Sequence, residues 1–191
     1  TGNSGTSYAT NYIGTSDNQS LRFRTNNSER FVIDSLGNAR FGTSTTVPNT
    51  TNPEKFLVDC GTTSSVNAVV AKGTINNYLQ LNVQNYSSGT NASSDVVATA
   101  DNGTETTNYI DMGINGSGNT QAVMGGADDS YIYNVGGNMY MGAGTAGKAY
   151  IFMTGGTDPT TNERLRITGT GNVGVGTASP TSLFSVGSSS A

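Results

Sequence analysis

The chain has 191 residues, nine basic against thirteen acidic side chains for a net charge of −4, no histidine, no tryptophan and one cysteine. Thr, Ser, Asn and Gly number 28, 21, 22 and 26, half of the chain, while Leu, Ile, Val and Phe total 35; so few large aliphatics do not fill one deep core, yet the charge is too low to hold the chain open as a repelled coil. These absences exclude an imidazole base, a Ser-His-Asp triad, the usual zinc sites, an intrachain disulfide and an electrostatic footprint for nucleic acid.

In chain order, short runs with a two-residue period recur: Leu21-Arg22-Phe23-Arg24, Phe31-Val32-Ile33, Tyr78-Leu79-Gln80-Leu81-Asn82-Val83, Tyr131-Ile132-Tyr133 and Leu165-Arg166-Ile167. Between them stand turn formers: Leu36-Gly37-Asn38, Asp101-Asn102-Gly103, Asn115-Gly116-Ser117-Gly118, Gly136-Gly137-Asn138 and Thr170-Gly171-Asn172. Glycine or a β-branched residue breaks nearly every window that would carry a helical stripe. The pattern predicts an all-β fold. Cys60, after Val58 and Asp59, reads as a small core residue rather than a reactive thiol. No apolar run approaches the ~20 residues of a membrane span, and no secretory leader is visible.

The most informative feature is internal. Residues 29–43 align without gaps on residues 163–177, an offset of 134, with 7 of 15 positions identical. Shared composition alone gives roughly one match, so a repeated unit is expected. Looser matches extend it: Leu21–Thr25 with Tyr150–Thr154, and Phe56-Leu57-Val58 with Phe184-Ser185-Val186. Each copy reads as a β-hairpin with adjoining strands. Leu165, Ile167, Val173 and Val175 share one face in the second copy, and Phe31, Ile33, Ala39 and Phe41 share it in the first; Arg166 is expected to face solvent or an acid. A hairpin with so few apolar residues is marginal alone. Burial against other copies around a symmetry axis is the expected remedy, with Phe31, Ile33, Leu165, Ile167, Val173 and Val175 as trimer core. The divisions expected are a first shaft-like module at 1–55, a central β-domain at 56–139 and a second module at 140–191.

Asn162-Glu163-Arg164-Leu165-Arg166-Ile167, Gly171-Asn172-Val173-Gly174-Val175-Gly176-Thr177 and Ser179-Pro180 resemble the ERMRI…GNVGIGT.SP module of bacteriophage tail fibres and related virion fibres, which some bacterial surface proteins also carry. Residues 93–103, 108–114 and 148–156 are similar to a domain that precedes that module in some of those fibres. The resemblance spans most of the chain from Phe56 onward. It implies an intertwined homotrimeric, β-rich fibre segment of the virion, extracellular, joined to other fibre or virion proteins, and it implies no chemistry. The first copy departs from it, with Asn38-Ala39-Arg40-Phe41-Gly42 in place of Asn-Val-Gly-Val-Gly.

Candidate sites are few. Asp95, Asp101 and Asp111, with the Asp128-Asp129 doublet, are the acids a glycan-cleaving spike would need, but turn chemistry explains them better, and no catalytic residue is assigned. Asp95, Asp101, Asn102 and Asp111 could offer hard oxygens to calcium, yet neither EF-hand spacing nor a glycine-rich nonapeptide array is present, so no metal or cofactor is assigned. The glycine-rich run at 169–174 leads into a valine-glycine strand, not the helix that a dinucleotide site requires. Tyr131, Tyr133, Tyr140 and Tyr150 are the candidates for receptor contact, since a phenol joins an apolar ring to a polar tip suited to host-surface glycan or protein. The expected function is a structural segment of a trimeric virion fibre. A bacterial adhesive filament is the second reading and a depolymerase spike the third. Because the tail at Phe184-Ser185-Val186 matches the strand after the first copy, and Thr1 opens the chain, a longer parent molecule is expected.

Overall fold

The computed structural model describes residues 12–42, 53–121 and 124–187, and its chain divides into two units, Thr1–Leu79 and Gln80–Ala191. The fold is all-β. The first unit holds one sheet of β1 (Leu21–Thr25), β2 (Ser28–Ile33), β3 (Ala39–Phe41) and β4 (Phe56–Val58), in that order, antiparallel except for the parallel pair β3–β4. In the second unit β5 (Ser93–Thr104), β6 (Thr107–Asn115) and β7 (Ser130–Val135) form an antiparallel meander. A further sheet comprises β8 (Tyr150–Met153), β9 (Glu163–Ile167), β10 (Val173–Val175) and β11 (Phe184–Val186). The one helical turn among the described residues, α1 (Pro159–Asn162), has its start set by Asp158, whose carboxylate accepts from the Thr160 amide at 2.9 Å, followed by proline at the first position.

Local chemistry explains the turns. Asn26 and Asn27 both have positive φ, which a two-residue hairpin turn with the right-handed twist of its strands requires and asparagine tolerates. Between β2 and β3, the Asp34 carboxylate accepts from the Leu36 and Asn38 amides, each at 2.9 Å, and from Asn38 Nδ2 at 3.0 Å. Burial opposes ionisation of Asp34, but these donors and the Arg40 charge outweigh it and hold the carboxyl below its usual range. Asn38, 1% exposed, accepts from Lys55 Nζ at 2.9 Å and so ties the turn to the approach of β4.

The two four-stranded sheets share strand order and register. Phe31 faces Phe41 and Ile33 faces Ala39, as Leu165 faces Val175 and Ile167 faces Val173. Ala39 pairs with Phe56 as Val173 pairs with Phe184, and both outer antiparallel pairs are irregular at their third residue, Phe23 or Phe152. The boundary anticipated after residue 55 falls inside the first sheet, because Phe56–Val58 close it. Thr43 and the tail from 188 onward lie outside the described residues.

Among the described residues only Val32 and Ala92 are buried apolar side chains. In β2 the chain covers Val32 itself (1% exposed), on the opposite side from Phe31 and Ile33. The second sheet covers the equivalent face. A parallel pair needs a link that crosses one face, and the link from β10 to β11 passes over Gly174: a Cβ there would stand 2.6 Å from the Thr177 carbonyl and 3.4 Å from Pro180. The other face is left open, lined by Phe23, Phe31, Phe41 and Phe56 in the first sheet and by Phe152, Leu165, Ile167 and Phe184 in the second.

Three sequence-based expectations are corrected. Tyr78–Val83 form no strand, and Leu81 is 90% exposed, because alternation favours an extended backbone but a strand also needs a hydrogen-bonded neighbour, which this chain does not supply there. Asp101-Asn102-Gly103 lie within β5, and the turn comes at Glu105-Thr106 after a register irregularity between Thr99 and Thr104. Cys60 is exposed rather than a core residue, since the strand ends at Val58.

Candidate functional site

The meander β5–β7 sorts its side chains sharply. Residues directly opposite on antiparallel strands share a face, and the rows Asp95–Gly113–Tyr131 and Val97–Asp111–Tyr133 place both acids and both tyrosines on one side. The opposite side carries Val96, Ile110, Met112, Ile114 and Ile132, all exposed. One face is a polar network and the other an uncovered apolar surface.

Gly113 makes the polar network possible. A Cβ at that position would collide with Asp95 Oδ1 and come within 2.6 Å of the Tyr131 hydroxyl, so the glycine clears the path along which Tyr131 donates a short hydrogen bond to Asp95. Ser93 Oγ donates to the other Asp95 oxygen at 2.5 Å. The Tyr109 and Tyr133 hydroxyls lie 3.2 Å apart, with their rings edge-on. Below them, Asn115 donates to the carbonyls of Met124 and Gly126, and Asn119 to the Ala92 carbonyl and to Asn115 Oδ1, which stitches the loop after β6 to the sheet.

Asp111 is the exception in this otherwise satisfied network. It is 8% exposed, and its Oδ1 is buried with no hydrogen-bond partner. Burial, then the charge of Asp95, pushes its carboxyl above the usual range, and the neighbouring Tyr133 hydroxyl acts in the opposite sense. Burial, then the bond to Asp95, raises the Tyr131 phenol to about 12. Tyr133 is raised as well, first by its bond with Tyr109 and then by burial. Burial leads for Asp111 and Tyr131, while the phenol–phenol contact leads for Tyr133.

The structure brings together Tyr131 and Tyr133, 5.7 Å between ring centroids, with Asp95 and Asp111. Tyr140 is 89% exposed and borders a different depression, with Ala98, Ile110 and Met139. Tyr150 stands in β8, edge-on to Phe152 at 4.8 Å. Asp101 is an exposed β5 residue, Asp128 takes positive φ in a turn, and Asp129 accepts from the Gly126 amide at 2.7 Å to close that turn. Sequence reasoning passed over Tyr109, Ser93 and Gly113. The signal was the alternation Tyr109-x-Asp111-x-Gly113-x-Asn115, which puts Tyr109, Asp111 and Asn115 of β6 on one face.

Both Asp95 oxygens accept hydrogen bonds, from Ser93 and Tyr131, so this carboxylate is held by its neighbours. No family model matches the chain, and no curated protein matches it.

Proposed function

We propose that the chain is a structural segment of a homotrimeric virion fibre, projecting from the particle in contact with other fibre proteins and presenting its central sheet to a host surface. The observation that supports this reading most is the uncovered apolar face on each of the three sheets. Phe56 and Phe184 are 62% and 64% exposed, and the residues of the Val96–Ile132 face of the meander are about half exposed. Contiguous exposed apolar faces mark association, and a closed symmetric assembly covers identical faces with one set of contacts. Phe31, Ile33, Leu165, Ile167, Val173 and Val175 belong to these faces and are assigned to the trimer seam.

Electron microscopy of the isolated chain tests the reading. Rods of one fixed length are expected. Open polymers of growing length would favour an adhesive filament, and clearing of a bacterial polysaccharide lawn by the purified chain would favour a depolymerase.

A further inference from the structure

The polar face of the meander holds a depression of about 320 Å³ lined by Asn91, Ser93, Asp95, Asp111, Gln121, Tyr131, Tyr133 and the two structural asparagines. We infer that this depression is a binding site for a single sugar ring, neutral or amino-bearing, and that it rejects acidic sugars.

Three observations carry this. First, Asp111 lines the depression, is more than nine-tenths buried and keeps Oδ1 without a partner. A buried acceptor left unmade costs about 1–3 kcal/mol, and a hydroxyl or ammonium brought into the depression supplies the donor it lacks. Second, every residue lining the depression bears a carboxylate, carboxamide or hydroxyl, two of them on aromatic rings. That combination serves a ring with hydroxyls at its edge and C–H bonds on its face. Third, neither Lys nor Arg lines the depression, while two carboxylates do, so a uronate or other anionic sugar meets repulsion with no counter-charge to offset it.

The volume argues against a bare cation. It is about ten times the roughly 30 Å³ share of one water molecule and falls at the lower end of small-ligand sites, ~300–1,000 Å³. Among the described residues no three acidic or cysteine side chains converge as a metal cluster would require. All lining residues come from one unit, so the site is complete within one chain; it rests on the fibre reading only for its biological setting. Its position opposite the apolar face leaves it outward when that face is covered.

Saturation-transfer NMR on the intact chain, with methyl hexosides differing at single hydroxyls, glucosamine, and glucuronate, tests the inference. At least one neutral hexoside and glucosamine are expected to receive saturation and to shift the Tyr131 and Tyr133 ring signals, with glucuronate at least tenfold weaker. Asp111→Asn should weaken glucosamine at least tenfold, and Tyr133→Phe, which keeps the ring, should weaken it less. Silence across the whole panel, or glucuronate binding as well as the neutral sugars, overturns the inference. So does Ca²⁺ alone producing the same ring shifts while sugars do not. None of these readouts depends on the oligomeric state, so a sugar-binding chain that is not a trimer would overturn the fibre reading and leave this one standing.

Discussion

The two four-stranded sheets use the same register and fill it by different means. In the first, the covered face holds Val32 and Arg40, and the open face is a ladder of phenylalanines, Phe23, Phe31, Phe41 and Phe56, with successive ring centroids 5.5, 4.4 and 5.6 Å apart. In the second, Arg166 and Gly174 take the positions of Val32 and Arg40, and the open face is mostly aliphatic. The glycine lets the β10–β11 link lie close, so the second sheet covers that face with backbone at Gly174. The turns differ in the same sense. Asn38 is fully buried and fastened by Asp34 and Lys55, whereas Asn172 is half-buried and reaches only the Pro180 carbonyl, at 3.3 Å. What the two sheets share is the open face, and it is the open face that the proposed trimer would cover.

Removing an aromatic from the ladder breaks that shared feature most severely. Phe31→Ala is expected to cost about 3–5 kcal/mol per chain and Ile167→Ala about 2–5 kcal/mol, values that hold only for sites buried in an assembly. Thermal melts check this, and a half-exposed monomeric Ile167 would instead leave Tm almost unchanged. Crowding the tight side of the second sheet comes next. Gly174→Ala places its Cβ against the Thr177 carbonyl and should cost about 1–3 kcal/mol, whereas Arg40→Ala, at the equivalent place in the first sheet, meets no such clash. Urea midpoints of the two variants separate them.

The asparagines sharpen the contrast further. Asn38→Ala strands the Asp34 and Lys55 partners and should lose about 1–3 kcal/mol; Asn172→Ala should lose less than half of that in the same denaturation series.

The smallest effect is electrostatic. Glu163 holds Arg166 through both carboxylate oxygens, at 2.6 and 2.7 Å, while Glu29 makes one contact of 2.9 Å with the more exposed Arg22. The Arg166 hydrogen bonds lower the Glu163 carboxyl. Its contribution is therefore present above the ordinary glutamate range and is lost as pH falls through the lowered value. An Arg166→Ala variant should lose about 1 kcal/mol or less at pH 7, and the difference from wild type should vanish once the pH has fallen below the lowered Glu163 value, as the wild type gives up its pair. Stability measured across that window checks the sign.

Much of this architecture was legible. The alternating runs gave β1, β2, β7 and β9 because each has a neighbour in its own chain, and the offset of 134 residues anticipated which residues would face each other in both hairpins. The same alternation at Tyr78–Val83 misled, because periodicity reports which side chains share a face and not whether a partner strand exists. The face covered by the chain itself was also hidden, since it follows from the path of the crossover link and not from the hairpin's own pattern. At the candidate site, Tyr131 and Tyr133 could be read as a pair, but the approach of Asp95 and Asp111 depends on the register of β5 against β6. Tyr140 and Tyr150 were grouped with them by nearness in sequence, which the meander and the last sheet do not honour.

Sedimentation equilibrium of the purified chain over a wide concentration range tests the central claim most directly. The account predicts one species at three times 19.6 kDa, unchanged by dilution, because the open faces of all three sheets are covered together. A folded species at the mass of one chain, with the phenylalanine ladder in water, would contradict it.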